Sequence, residues 1–99
     1  MTELTVEELD PEVDEVEITG EIAELPTPRA VSTRYGQKRI VTAVFEDDTG
    51  KVDLTLWEEE IDAIEEGARV HIQGAYVREW AEDIQLNISR DGSIEQVEE

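Results

Sequence analysis

The chain has no cysteine and only one histidine among its 99 residues. Without thiols there are no disulfides, thiolate metal sites or cysteine nucleophiles, and one imidazole disfavours a histidine-based metal site or a serine–histidine hydrolase. No apolar run approaches the roughly 20 residues of a membrane span, and no signal-peptide pattern opens the chain. We therefore expect one small, soluble, intracellular domain that is not an enzyme and needs neither metal nor cofactor.

Bases are also scarce, since eight Lys and Arg stand against 27 Asp and Glu for a net charge of −19. Averaged over the surface, this surplus argues against a nucleic-acid partner, because phosphates are normally bound by a basic surface. The segment 25–45, however, contains no acid and four of the bases, so it carries +4 and leaves −23 for the rest of the chain. These four bases are Arg29, Arg34, Lys38 and Arg39.

The order of elements can be read from the hydrophobic pattern. Residues 1–14 are acidic and contain Pro11, which is typical of a flexible arm, whereas 15–97 carry the pattern of a folded domain. Alternation and turn residues predict a strand over 15–25, a long loop over 29–38, strands over 39–46 and 51–57 joined by a tight turn at 47–50, a short helix over 58–66, strands over 69–80 and 84–89, and a turn at 91–92 before a last short strand.

Five strands with one short helix between the third and fourth is the order of the OB-fold, an all-β, five-stranded Greek-key barrel. A plain five-stranded meander with an added helix is the alternative reading of the same elements. The position of the helix favours the OB-fold.

Aromatic residues are few, and three of them fall where a contact surface is expected. Trp57 shares the polar parity of its strand, so it is either exposed for contact or folded back over the end of the barrel. Tyr76 and Trp80 follow Gly74, and a bulge at that glycine would turn Tyr76 outward, whereas unbroken alternation would turn it inward. Phe45 is expected in the core or at the barrel edge.

The basic segment lies where an OB-fold ligand groove is bordered by its first loop. Cations beside exposed aromatics hold single-stranded nucleic acid, because bases stack on the rings while the cations follow the phosphates. Candidates for base or sugar contacts are Tyr35, Thr55, Gln85 and Asn87.

Three short motifs carry a family resemblance. LTLW at 54–57, AYVREW at 75–80 and QLN at 85–87, with the hairpin FEDDTGKVDLTLW at 45–57, resemble the simple OB-fold single-stranded DNA-binding proteins of archaea, the related human sensor of single-stranded DNA, and the OB domains of archaeal replication protein A. The resemblance implies that bases stack on Trp57, Tyr76 and Trp80. Tyr76 stands where some members have Trp. The long tail that recruits partners in some relatives is not part of these 99 residues, which we expect to be either a full protein or a domain cut from a longer one.

The resemblance implies sequence-tolerant binding of single-stranded DNA in replication, repair or recombination, near the nucleoid of an archaeal cytoplasm. A protein-interaction OB module, with the acidic arm contacting partners, and an RNA-binding OB module remain the alternatives. The excess of acids and the two lysines fit a salt-loving organism, in which stacking would carry more of the affinity than ion pairs.

Overall fold

The computed structural model of the chain describes residues 2–81 and 83–97, except for the side chains of Thr2 and Trp80. Its elements are β1 (Thr2–Glu3), a 3-10 helix (Val6–Glu8), β2 (Val16–Glu24), β3 (Arg29–Thr33), β4 (Gly36–Asp47), β5 (Gly50–Trp57), α1 (Glu59–Asp62), β6 (Arg69–Trp80) and β7 (Asp83–Gln96). In this part of the chain no helix is long and apolar enough to cross a membrane.

Five strands close into a barrel. β2 pairs with β4, β4 with β5, β5 in parallel with β7, β7 with β6, and β6 returns to β2, so that each barrel strand has two neighbours. The helix α1 lies between β5 and β6, which are the third and fourth barrel strands. The predicted fold class, an all-β barrel of five strands with one short helix at this position, is therefore confirmed.

The core fills the barrel from alternate positions of its strands. Val41, Ala43 and Phe45 of β4 are buried, and Phe45 lies in the core as expected. A β-carbon at Gly20 would lie 2.7 Å from Cζ of Phe45 and 2.5 Å from the carbonyl oxygen of Glu46. Glycine therefore allows β2 to pass this close to β4, where its pairing changes from β6 to β4.

The predicted long loop over 29–38 is wrong, because these residues form a hairpin. β3 pairs with the first half of β4, and Arg34 and Tyr35 form the turn between them. The Thr33 hydroxyl donates to the Gly36 carbonyl at 2.8 Å and accepts from the Tyr35 N–H at 3.1 Å, while Gly36 supplies a φ of +102°. The hairpin has no buried residue, so it lacks the alternation by which strands are recognised.

The helix predicted over 58–66 covers only Glu59–Asp62. The chain leaves the helix early because β2 binds its return segment. The Gly67 N–H donates to the Ile22 carbonyl at 2.7 Å, and the Ile22 N–H donates to the Ala68 carbonyl at 2.9 Å. The side chains of Ile61 and Ile64 are nevertheless buried in the core.

The turn predicted at 91–92 and the separate last strand are also wrong, since β7 runs unbroken to Gln96. Gln73 pairs with Ser93 and Ala75 with Ile88, so Asp91 and Gly92 lie opposite the irregularity of β6 at Gly74. Gly92, which suggested a turn, instead allows β7 to pass close to β6.

The acidic segment before β2 packs partly on the barrel. β1 pairs in parallel with β2, and Val6 and Leu9 are buried in the core. Asp47 in the β4–β5 turn accepts the Val6 N–H at 2.8 Å, and the Thr49 hydroxyl accepts the Glu7 N–H at 2.9 Å. These contacts join the segment to the barrel, whereas the sequence suggested a flexible arm; Met1 lies outside the described residues.

Candidate nucleic-acid interface

The candidate surface is the outer face of four neighbouring strands. Thr42 of β4 pairs with Thr55 of β5, Thr55 with Asn87 of β7, and Asn87 with Tyr76 of β6. Paired residues point to the same side of a sheet, so these four side chains form one row across the face. We call the outer face of β4, β5, β7 and β6 the aromatic face. It includes this row, Trp57 further along β5, and the row of Asp53, Gln85 and Arg78.

Trp57 lies one row further along β5. It pairs with Ile40, which in turn pairs with Arg29 of β3. Its side chain is 39% exposed, whereas Ile61 and Ile64 are buried at the barrel end. Of the two predicted placements, the structure therefore shows the exposed one.

Tyr76 reaches the aromatic face because of a bulge. The pairing of β6 with β7 shifts between Gln73 and Ala75, and Gly74 between them has a φ of +70°. Val70 and Ile72 are buried before the bulge, and Ala75 and Val77 are buried after it. The parity has switched, so Tyr76 faces outward, as the bulge alternative predicted.

A cation that the sequence analysis overlooked lies beside this tyrosine. The guanidinium carbon of Arg78 is 5.7 Å from the centroid of the Tyr76 ring, within the range of a cation–π contact. Arg78 pairs with Gln85, so both side chains occupy the row that follows Tyr76 and Asn87. Its spacing of two residues from Tyr76 was the signal that could have identified it.

The third candidate aromatic, Trp80, ends β6 four residues after Tyr76. Its side chain lies outside the described residues. From strand spacings, Trp57 and Tyr76 are about 12 Å apart at their Cα atoms, because they are separated by two strands and one row.

The four basic candidates of segment 25–45 do not share one face. Arg29 and Lys38 fall on the side of Trp57, because Arg29 pairs with Ile40 and Lys38 has the same parity as Ile40 on β4. Arg34 lies at the exposed hairpin turn beside Tyr35, whose side chain is 77% exposed. Within the described part of the chain, neither Arg29, Arg34 nor Lys38 forms an ion pair.

Arg39 is on the opposite side, with the parity of the buried Val41 and Ala43. Its guanidinium donates to both carboxylate oxygens of Asp62, at 2.6 and 3.2 Å. The hydrogen bond and charge of Asp62 raise the pKa of Arg39, and the hydrogen bond from Arg39 lowers the pKa of Asp62. This base, unlike the other three, is already paired with a carboxylate.

The polar candidates lie between the aromatics. Thr55 is buried although it faces outward, because Thr42 and Asn87 flank it. The Asn87 amide nitrogen is buried and has no hydrogen-bond partner among the residues that the structure describes. Gln85 lies one row away beside Asp53, the acid that the face presents on β5. The face thus offers amide and hydroxyl groups between ring surfaces.

Carboxylates next to Trp57 form a further set of contacts that the sequence did not reveal. The Trp57 N–H donates to Oε1 of Glu60 at 2.9 Å, and the Arg39 N–H donates to Oε1 of Glu58. Burial raises the pKa of Glu60, although the Trp57 N–H acts in the opposite direction. Within residues 2–81 and 83–97, no three His, Cys, Asp or Glu side chains are placed to hold a metal ion.

Comparison with known proteins places this chain in a family. Residues 9–96 match the family model described as single-stranded DNA binding protein Ssb-like, OB fold. The chain is 32% identical over 91 residues to the single-stranded DNA binding protein Ssb of Saccharolobus solfataricus, covering 92% of this chain and 62% of that protein. It is 29% identical over 88 residues to the replication factor A of Methanothermobacter thermautotrophicus, covering 88% of this chain and 11% of that protein.

The fold is shared with solved OB domains. One from Thermoplasma acidophilum superposes with a TM-score of 0.84 at 16% identity, covering 98% of this chain and 88% of that domain. The chain spans less than two thirds of the length of either of the two relatives above. The barrel topology and the match over residues 9–96 agree, and the chain belongs to the Ssb-like family of single-stranded DNA binding proteins with an OB fold.

Proposed function

We propose that the chain binds single-stranded DNA without strong sequence preference, through the aromatic face. Bases stack on Trp57, Tyr76 and Trp80, and Arg29, Arg34 and Lys38 contact the phosphates. The observation that carries the proposal is the outward turn of Tyr76 by the Gly74 bulge onto the face that also exposes Trp57. Ring faces accept any base, which makes such binding tolerant of sequence.

The neighbouring groups extend this proposal. Arg78, beside the ring of Tyr76, supplies a further cation on the face, and Tyr35 at the hairpin turn offers a further ring. Gln85 and Asn87, whose side chains are half-buried on the face, and Thr55, which lies between Asn87 and Thr42, hydrogen-bond bases or sugars in this proposal. Arg39 is left out of the phosphate path because Asp62 holds its guanidinium.

The cellular setting is part of the same proposal. Single-stranded DNA is exposed in replication, repair and recombination, and we infer that the protein acts there, near the nucleoid of an archaeal cell. The exposed acids of the N-terminal segment, such as Glu7 and Glu12, are proposed to contact basic partner proteins. An acid-rich surface further suggests a salt-loving source. At 1 M salt the screening length is about 3 Å, so the repulsion between distant acids and the phosphates is screened.

Titration with oligo-dT, followed by tryptophan fluorescence, tests the proposal. We expect quenching by oligo-dT and none by duplex DNA of equal length, with binding that persists above about 1 M KCl because stacking is not screened as ion pairs are. Single-stranded RNA of equal length is the competitor that decides between DNA and RNA.

Substituting Trp57→Ala removes one stacking surface. We expect the affinity for oligo-dT to fall about tenfold or more, since one base stacked on an aromatic contributes about 1–3 kcal/mol. Tyr35→Ala, at the exposed turn, is the matched aromatic truncation and should cost less. Equal affinity of the Trp57 variant and the unaltered protein would rule out the stacking arrangement.

A further inference from the structure

Trp57 is the last residue of β5. Where the strand ends, the backbone N–H groups on both of its sides still have hydrogen-bond partners. The Glu58 N–H donates to the Arg39 carbonyl at 3.1 Å, which makes Arg39 and Glu58 a hydrogen-bonded pair. Antiparallel pairs alternate, so the Ile40–Trp57 pair is not hydrogen-bonded and the Trp57 N–H points away from β4.

On the side of β5 that faces away from β4, no strand among the described residues pairs with Trp57, because the pairing of β5 with β7 covers residues 53–55. The Oε1 of Glu60, in the first turn of α1, accepts the Trp57 N–H at 2.9 Å instead. The carboxylate thus takes the place of a strand carbonyl. An unpaired N–H here would have to be hydrated next to the surface on which bases would stack.

On the side of β5 that faces β4, the residue after Trp57 is Glu58. Its φ of +47° and ψ of −118° turn its carbonyl away from β4. Its carboxylate replaces that carbonyl as acceptor of the Arg39 N–H. The guanidinium of Arg39 then spans from the Glu58 carbonyl, at 3.4 Å, to Asp62 on α1, at 2.6 Å. Arg39 therefore links β4, the residue after Trp57 and the helix α1.

We propose that Arg39 is a positioning residue that holds the Trp57 stacking platform in place through Glu58, Glu60 and Asp62, and that it does not contact DNA. The inference rests on the proposed function. It reassigns one of the four bases that the sequence suggested for phosphates. Two observations carry it: Arg39 has the parity opposite to that of Trp57, and its guanidinium is bound to a carboxylate.

The hydrogen bonds from Arg39 to Asp62 and from Trp57 to Glu60 connect a residue at a strand end to a helix that is packed on the barrel. Ile61 and Ile64 are buried in the core, so the helix that carries Asp62 and Glu60 is fixed to the barrel. A platform already held in its binding orientation loses less conformational freedom when a base stacks on it.

Two pairs of variants separate positioning from phosphate contact. Arg39→Ala is compared with Lys38→Ala, and Asp62→Asn with Glu59→Gln, an exposed acid on the same helix. Affinity for fluorescent oligo-dT is measured by anisotropy over a range of KCl concentrations. Lys38→Ala should reduce the salt slope by about 0.7, the value for one phosphate contact on a single strand.

Arg39→Ala should weaken binding about two- to fivefold, the range of an exposed ion pair, without changing the salt slope. Asp62→Asn should weaken binding in the same way, although it removes a negative charge, whereas Glu59→Gln should leave binding equal or slightly stronger. If Arg39 were a phosphate ligand, Asp62→Asn would release it, and binding would become tighter with a steeper slope. That outcome, or a lower slope for Arg39→Ala, overturns the proposal.

A second measurement needs no DNA. In a Trp80→Phe background, the amide and indole N–H signals of Trp57 are followed by NMR in the free protein. We expect both to move in Arg39→Ala and Asp62→Asn but not in Lys38→Ala or Glu59→Gln, and unmoved signals would refute positioning. Failure of the unaltered protein to bind oligo-dT would instead refute the proposed function, and these signals would still report on the link. Thermal melts confirm that each variant is folded.

Discussion

The bulge that turns Tyr76 outward depends on two glycines, and substituting one of them should show a cost specific to their contact. A β-carbon at Gly74 would lie 2.8 Å from Cα of Gly92 and 3.4 Å from its nitrogen, both backbone atoms that cannot swing aside. Gly74 also has a φ of +70°. In Gly74→Ala, the left-handed backbone costs about 1–2 kcal/mol, and the overpacking adds about 1–3 kcal/mol.

Gly67→Ala is the matched control. Gly67 has a φ of +85°, but no atom of the residues that the structure describes lies within 4 Å of the position of its β-carbon. The backbone cost and the gain from a less flexible unfolded chain are shared by both variants and cancel in their difference. Gly74→Ala should therefore be the less stable of the two by about 1–3 kcal/mol, or roughly 4–24 °C in melting temperature for a domain of this size.

The strain could also be relieved by losing the bulge, but the energies argue against it. A slip of one residue would turn every following side chain of β6 to the other face. Val77 would leave the core, costing about 1.5–3 kcal/mol, and the charged Arg78 would enter it at a cost of several more. We expect the bulge to persist, with the loss taken in stability and the oligo-dT affinity changed little.

Urea unfolding followed by circular dichroism, with an anisotropy titration of each folded variant, measures both quantities. Equal stability of Gly74→Ala and Gly67→Ala would refute the argument from the Gly74–Gly92 contact. A large loss of affinity in a fully folded Gly74→Ala would show that the bulge was lost instead.

Two further predictions concern acids. Burial raises the pKa of Asp47, but hydrogen bonds from Thr49, Val6 and the following N–H groups outweigh it, so the net pKa is lowered. Asp47 therefore stabilises the fold above its unfolded pKa of about 3.9, and this contribution disappears as the pH falls through the lower folded pKa. In urea unfolding, Asp47→Asn should cost about 1–2 kcal/mol at pH 7 and progressively less below pH 4; a difference that stays constant with pH would contradict this. Asp53 lies on the aromatic face, so Asp53→Asn should tighten oligo-dT binding at low salt more than Glu12→Gln does; equal effects would place the DNA elsewhere.

The barrel was predictable because its strands carry their own signals. Val52, Leu54 and Leu56 alternate with polar residues on β5, and all three are buried. The alternation gave the polar parity of Trp57, but it left open whether the ring is exposed or folded back over the end of the barrel. The bulge at Gly74 was one of two readings. Counting residues could not decide between them, because the deciding contact with Gly92 joins two strands.

Elements that bury little were not predictable in this way. The β3–β4 hairpin projects from the barrel and is held by backbone pairing and by the Thr33 side chain, neither of which leaves a hydrophobic period. The acidic segment before β2 looked disordered by composition, because its anchors are single residues, Val6 and Leu9, and an acceptor 41 residues away at Asp47. Contacts made by so few residues leave the overall amino-acid composition of the segment acidic and polar, so composition alone does not reveal them.

The net charge of −19 is likewise a poor guide to the aromatic face, because several acids act locally. Glu60 accepts the Trp57 N–H at the end of β5, Glu58 accepts the Arg39 N–H of β4, and the charge of Asp62 is offset by its ion pair with Arg39. These carboxylates therefore have local structural partners. Remote acids are screened by salt, whereas the ring faces of Trp57 and Tyr76 are not. In the proposed function, such a surface binds a polyanion despite an acidic average, provided that most of the affinity comes from stacking and that Trp57 is held in position through its hydrogen bond to Glu60.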